Sequence, residues 1–184
     1  MQEGGYKIRN QEAIHFITFA VAEWIDVFTR KDYRDIVLES IKHCQANKGL
    51  LLHCWCIMSN HLHLIISARN KDLSDVLRDF KKYTSKQIIA AIEHNQHESR
   101  KDWMLRIFKE QGEYNSRNKN FQFWRQDNRP MELYSPAFIA QKMNYIHNNP
   151  VEAGIVDKPE DYVYSSARDY IHAKKCGLLD LVFL

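Results

Sequence analysis

No run in this chain is apolar for long enough to cross a bilayer, and its N-terminus carries no apolar signal region. Internal repeats and low-complexity segments are also missing. Cysteine is scarce: Cys44, Cys54, Cys56 and Cys176 form no CxxC pair. They read as reduced, semi-buried thiols of a cytosolic protein. Charge of one sign is in short supply too. A net charge of +3 permits contact with an anionic polymer without demanding it. The expectation is a soluble, cytoplasmic protein with no membrane partner. What is present is an ordinary globular balance, 45% hydrophobic and 27% charged over 184 residues, enough for one domain with a proper core.

The stretch that organises the chain is Ser59-Asn60-His61-Leu62-His63-Leu64-Ile65-Ile66. On a strand, successive side chains alternate between faces. His61 and His63 therefore share one face, while Leu62, Leu64 and Ile66 share the other. The apolar set can pack on a core and leave two imidazoles together on an open face. Neutral imidazole is a common ligand of divalent metals, so the pair is a candidate metal site. A zinc site that adds Cys54 and Cys56 is the alternative.

The remaining pattern places this strand in a fold. Residues 14–21 are β-branched and aromatic and read as a strand. Residues 31–48 have helical apolar spacing, with Gly49 just beyond as the stop. Residues 50–57 and 61–67 read as a hairpin around Met58-Ser59-Asn60. Asp72 or Ser74 can cap a helix reaching about residue 93. Residues 94–120 are polar, with one amphipathic stretch at 103–108, and read as an inserted helix with flexible flanks. Residues 121–125 and 131–134 read as short strands. Ser135-Pro136 starts a helix that Pro150 should end near Asn148. A short helix is expected within 165–173. Residues 1–12 read as a loose lead-in. The order β-α-β-β-α-β predicts an α+β, ferredoxin-like antiparallel sheet with helices on one face. The whole chain, 1–184, reads as one domain with its core at about 14–170.

The helix from Pro136 carries Gln141, Tyr145 and Asn149 at i, i+4, i+8, on one side. It can present a phenol and an amide oxygen to one spot, a nucleophile and a hard ligand. A surface tyrosine on a packing helix has the same spacing.

Several blocks together are more specific. Asn60-His61-Leu62-His63-Leu64, followed by Tyr145-Ile146-His147-Asn148-Asn149-Pro150-Val151-Glu152-Ala153-Gly154, resembles the IS200-like and REP-associated tyrosine transposases, single-tyrosine members of the HUH endonuclease superfamily. Phe80–Thr84, Phe123–Gln126 and Tyr164–Tyr170 match in the same order. The resemblance implies a metal-dependent endonuclease and strand transferase that acts on single-stranded, hairpin-containing DNA. Tyr145 matches the family nucleophile, which forms a 5′-phosphotyrosine intermediate. His61 and His63 match its metal ligands, and Asn149 sits where the helix supplies a further ligand. The cofactor implied is Mg2+ or Mn2+, and histidine donors favour Mn2+. The family contains monomers and homodimers. A hairpin-binding regulator with a degenerate or domesticated site would carry the same motifs.

Lys81, Lys82 and Lys86 lie near one helical face with Arg78 and are candidates for DNA phosphates. Trp124, with Arg125 and Arg129, is a candidate for base stacking and backbone contact, with a core tryptophan as the alternative. Tyr83 is a rival nucleophile or a packing aromatic. His147 points away from Tyr145 and reads as structural.

Overall fold

The computed structural model describes residues 8–69, 73–114, 120–126, 130–175 and 177–184. Asp72, Cys176, Arg129 and residues 115–119 of the expected flexible flank lie outside them. A four-stranded antiparallel sheet forms the centre, built from β1 (His15–Ala20), β2 (Leu50–Ile57), β3 (His61–Ala68) and β4 (Met131–Glu132), in the order β2-β3-β1-β4. The helices are α1 (Lys31–Asn47), α2 (Leu73–His94), α3 (Lys101–Glu113), α4 (Pro136–Glu152) and α5 (Ala167–Ile171). This is the ferredoxin-like arrangement.

Alternation along the strands sorts two apolar layers. Ile17, Phe19, Leu62, Leu64 and Ile66 join Val37 and Ile41 of α1 and Val76, Leu77 and Phe80 of α2 in the main core. Phe16, Cys54, Cys56 and Ile65 face the opposite way and meet Ile146 of α4 in a smaller one. The division depends on a β-bulge between Leu52 and Cys54. Without it Leu52 and Cys54 would share a face. The extra residue, His53, flips the alternation so that Trp55 and Ile57 return to the main core.

His53 anchors the end of the chain. Its Nδ1–H donates to the Val182 carbonyl at 2.8 Å, and Nε2 accepts from the Ser67 hydroxyl at 2.8 Å. The outer edge of β2 is covered: Val182 N donates to Leu52 O, Ser166 N to Trp55 O, and Ile57 N to Tyr164 O. His147, on the underside of α4, lies 2.9 Å from Ser166 Oγ and 3.2 Å from Cys54 Sγ, which makes it a structural residue of the small core.

Several expectations change. Residues 1–7 of the expected lead-in lie outside the described residues, but Gln11 is tied down: it donates to Ser74 Oγ and accepts from Ser74 N, so Gln11 closes the start of α2 and Ser74 is not the cap. Residues 121–125 form no regular strand; one bridge joins Trp124 to Val21. Pro150 does not end α4, which continues to Glu152, with Gly154 at φ 69° beyond it. The buried Pro150 ring offsets the lost N–H, and Asn149 stays in helical register with Tyr145.

Nor are residues 94–113 an appendage. Met104 and Phe108 of α3 are buried in the main core. Glu98, buried ahead of α3, receives Arg30 Nε at 2.6 Å and Arg100 Nε at 3.0 Å. Burial alone would raise this carboxyl; the Arg100 and Arg30 hydrogen bonds hold it down at about 2.

Two predictions follow from this packing. Phe108→Ala should cost about 3–5 kcal/mol in urea denaturation, because a large ring leaves a cavity in the main core; an unchanged midpoint would make α3 an appendage after all. The second concerns acid. Burial holds His147 down at about 4 and lowers His53 as well. The unfolded chain takes up these protons near pH ~6.5 while the folded one does not, so stability should decline as pH falls from there towards 4. Urea midpoints at neutral pH and near pH ~5 measure it; equal midpoints would contradict the buried, neutral rings.

Candidate active site on the sheet face beneath α4

His61 and His63 project from β3 to the α4 side, with ring centroids 4.7 Å apart and planes at 72°. Each is held through Nδ1. His61 Nδ1 lies 2.6 Å from Asn60 Oδ1, which can only accept, so that nitrogen carries the hydrogen. His63 Nδ1 lies 2.8 Å from the hydroxyl of Thr18, its cross-strand partner on β1. His63 Nε2 faces Asn149 Nδ2 at 3.4 Å and acts as acceptor, which puts the His63 proton on Nδ1 as well. Both Nε2 lone pairs are therefore presented away from the strand. Burial, with His61 and the Lys142 ammonium nearby, holds His63 at about 3; burial lowers His61 too. Both rings are neutral near pH 7, the form that binds metals.

α4 supplies the other side. Ser135 caps it, its Oγ accepting from Phe138 N at 3.2 Å, and Pro136 occupies the first turn. Ile146 is buried against the sheet, which turns Tyr145 towards β3. The Tyr145 ring is 5.2 Å from that of His63, at 66°, and the residue is 44% exposed. Phe16 stacks on His63 at 5.5 Å and meets Tyr145 edge-on at 6.0 Å. Asn149, one turn on, donates Nδ2 to His63 Nε2 and stands beside His61. The structure thus brings Tyr145, His61, His63 and Asn149 together in one chain.

Lys142 belongs to the same cluster and went unnoticed in the sequence. Its Nζ lies 5.0 Å from the Phe16 ring centroid and 5.7 Å from that of Tyr145. The available signal was its position three residues before Tyr145, one turn away on the same helix face.

The donor set suits a divalent cation held by a few protein groups. Two neutral imidazole nitrogens converge on one amide, whose oxygen and nitrogen exchange places by a flip. Among the described residues no three His, Cys, Asp or Glu side chains cluster to hold a metal. Any ion on His61, His63 and Asn149 would keep positions for water or phosphate oxygen, as catalytic sites do. The zinc alternative does not assemble. Burial pushes Cys54 to about 12 and Cys56 higher still, so neither thiol is a ready thiolate.

The expected DNA contacts scatter. Trp124 is 4% exposed, and its Nε1–H donates to Thr84 Oγ1 at 2.9 Å. It packs against Phe19 and Phe28, so the stacking role is corrected to a core role. Lys81 donates to the Arg125 carbonyl at 2.9 Å. Lys82, Lys86 and the rival nucleophile Tyr83 sit on α2, across the sheet from the imidazoles, beside the groove between α1 and α2. Arg125 does stand near the site. Its guanidinium lies 5.4 Å from the ring centroid of Trp24, which is edge-on to His61 at 5.9 Å. Trp24 and its neighbour Glu23 have φ of 55° and 51°, left-handed values that cost bulky residues of order 1–3 kcal/mol each.

A tyrosine-bearing helix thus lies over paired histidines on one face of a ferredoxin-like sheet. The family model Transposase IS200 like matches residues 10–109, more than half of the chain, and the chain belongs to that family. Its fold is similar to that of a REP-associated tyrosine transposase solved bound to a REP hairpin, with TM-score 0.65 and 16% identity over 98% of this chain and 95% of that one. A second solved structure, provisionally assigned as a transposase from Deinococcus radiodurans R1, matches with TM-score 0.46 and 15% identity over 80% of this chain and 97% of that one. No curated protein matches the sequence. Among the described residues, no helix is long and apolar enough to cross a membrane.

Proposed function

We propose that this transposase cuts and rejoins single-stranded DNA beside a hairpin, with Tyr145 as the nucleophile. The observation that carries the reading is the half-exposed Tyr145 ring 5.2 Å from the ring of His63 within the same chain. The Tyr145 oxygen attacks the scissile phosphorus; the new O–P bond replaces the P–O3′ bond, and the 3′ oxygen leaves with a proton as a 3′-OH. A 5′-phosphotyrosine link keeps the bond energy, so a later 3′-OH can attack and restore Tyr145 without ATP. Hairpin DNA as the substrate class is supported by the similar protein solved with a REP hairpin.

His61 and His63 would hold a Mg2+ or Mn2+ ion through Nε2, with Asn149 as the third donor, and Mn2+ suits two nitrogen ligands better. When bound, the ion polarises the phosphate and offsets its charge. The chain's own groups do the rest. Asn60 and Thr18 fix the imidazole tautomers, as outer partners of metal ligands commonly do. Phe16 keeps water from one side of His63 and sets the Tyr145 ring edge-on. The Lys142 ammonium stabilises the phenolate as it forms and when it leaves. Among the described residues, Arg125 is the one expected DNA-contacting side chain near this centre, whereas Lys82 and Lys86 would serve only DNA that wraps to the far side.

A pool of hairpins with randomised single-stranded flanks, incubated with Mn2+, tests the proposal. Wild type should give a denaturant-resistant protein–DNA adduct, and Tyr145→Phe should bind the pool but give none. Wild type that binds without ever forming an adduct would favour a hairpin-binding regulator with a degenerate site. Lys142→Ala should slow adduct formation by about ten- to hundredfold while changing hairpin affinity far less. An equal loss of affinity and rate would make Lys142 a simple DNA-binding charge.

A further inference from the structure

The turn that follows β1 has features the cleavage chemistry does not use. Trp24 is 51% exposed, although Phe28 of the same turn and Trp124 of the segment bridged to Val21 are buried. It is held there by a costly backbone: Glu23 and Trp24 are consecutive residues in the left-handed region, where neither has the freedom of glycine. The surroundings lock that conformation. Trp24 N donates to Val21 O at 3.1 Å, and Ala22 N donates to Phe123 O at 2.7 Å. Asn60 Nδ2 donates to the Trp24 carbonyl at 3.1 Å, while Asn60 Oδ1 accepts from His61. One amide thus fixes both the indole's backbone and a proposed metal ligand.

The indole is set at 81° to the His61 ring, so the two rings are not stacked face to face. Arg125 Cζ lies 5.4 Å from the indole centroid, supplying a cation beside the ring. The segment carrying Arg125 is tied to β1 by Arg125 N donating to Ala20 O at 2.9 Å. An exposed indole, a guanidinium and a fixed backbone are the parts of a platform for an unpaired nucleobase with a phosphate alongside. A backbone held in a sparsely populated conformation beside such a site is the kind of strain that persists for a function.

We propose that Trp24 and Arg125 form a stacking subsite for one unpaired base of the strand whose neighbouring phosphate lies at His61 and His63. The proposal rests on the single-strand-cutting reading above and adds how the strand is held next to the reacting phosphorus. Stacking accepts any base, so Trp24 sets the register of the strand, and recognition of its sequence falls to other groups. Trp24 is therefore a positioning residue.

The test uses full-length protein, EDTA in place of metal, and two fluorescein-labelled probes of about twelve nucleotides: oligo-dT and a wholly abasic strand of the same length. Wild type should bind oligo-dT more tightly than the abasic strand, with quenching of tryptophan emission as a base covers the indole. Trp24→Ala should weaken oligo-dT binding by about ten- to hundredfold and abolish the quenching, with abasic binding unchanged. Trp24→Phe, which keeps an aromatic face, should stay within about threefold of wild type for oligo-dT. Thermal melting checks that both variants fold. Wild type that binds oligo-dT while Trp24→Ala binds it equally well overturns the stacking subsite and leaves the cleavage proposal standing. Equal losses on both probes also overturn it, since a base-stacking group cannot act on a strand without bases. Wild type that binds neither probe overturns the stacking subsite as well, while the adduct assay on hairpins decides the cleavage proposal separately.

Discussion

The seam between α4 and the sheet governs this molecule. Ile146 packs among Phe16, Cys54, Cys56 and Ile65, and this small apolar contact fixes the roll of α4 about its axis. Because residues four apart share a side, fixing Ile146 inward also fixes Tyr145 and Asn149 towards β3. His147 pins the adjoining side of the helix through Ser166 and Cys54. A helix rotated by even a fraction of a turn would carry the phenol off the imidazoles. The site therefore depends on packing that contains none of its reactive groups.

Electrostatics at the site follow from the same burial. Two imidazoles in one small space, with a lysine ammonium close by, cannot all be charged cheaply. The rings stay neutral, which leaves two lone pairs in the space beside Lys142. A modest net charge of +3 is then no obstacle to a DNA partner, because what matters is where the positive groups stand. Lys142 and Arg125 stand beside the centre, and several other basic residues serve the scaffold. Arg30 and Arg100 hold Glu98, and Lys48 pairs with Asp79.

Much of this was legible in the chain. Strict alternation at His61–Ile66 placed the histidines on one face and the aliphatics on the other, because a strand has no other option. Spacing of four placed Asn149 with Tyr145. The failures are equally physical. The bulge at Leu52–Cys54 leaves no mark in an apolar run, since every residue in it suits burial. Pro150 breaks the helical rule only because its ring is buried and two residues of helix follow it, a tertiary gain that local propensity cannot register. Trp124 and Trp24 show the same limit. An aromatic between basic residues looks like a DNA platform, yet Trp124 closes the core, and the indole exposed near His61 is that of Trp24, beside acidic Glu23 in a turn. Lys142 had the right spacing, but a lone lysine on a helix carries no signal until its neighbours are known.

The covered edge of β2 has a consequence for how copies of this chain can meet. Outer strands with free amides and carbonyls invite a neighbouring molecule to extend the sheet. Here Leu52 and Trp55 carbonyls and the Ile57 amide are already engaged by Val182, Ser166 and Tyr164 of the same chain. A second copy finds no ladder to continue along that side. Any pairing there would have to rely on side chains alone, so this margin resists the strand-by-strand stacking by which exposed sheets aggregate.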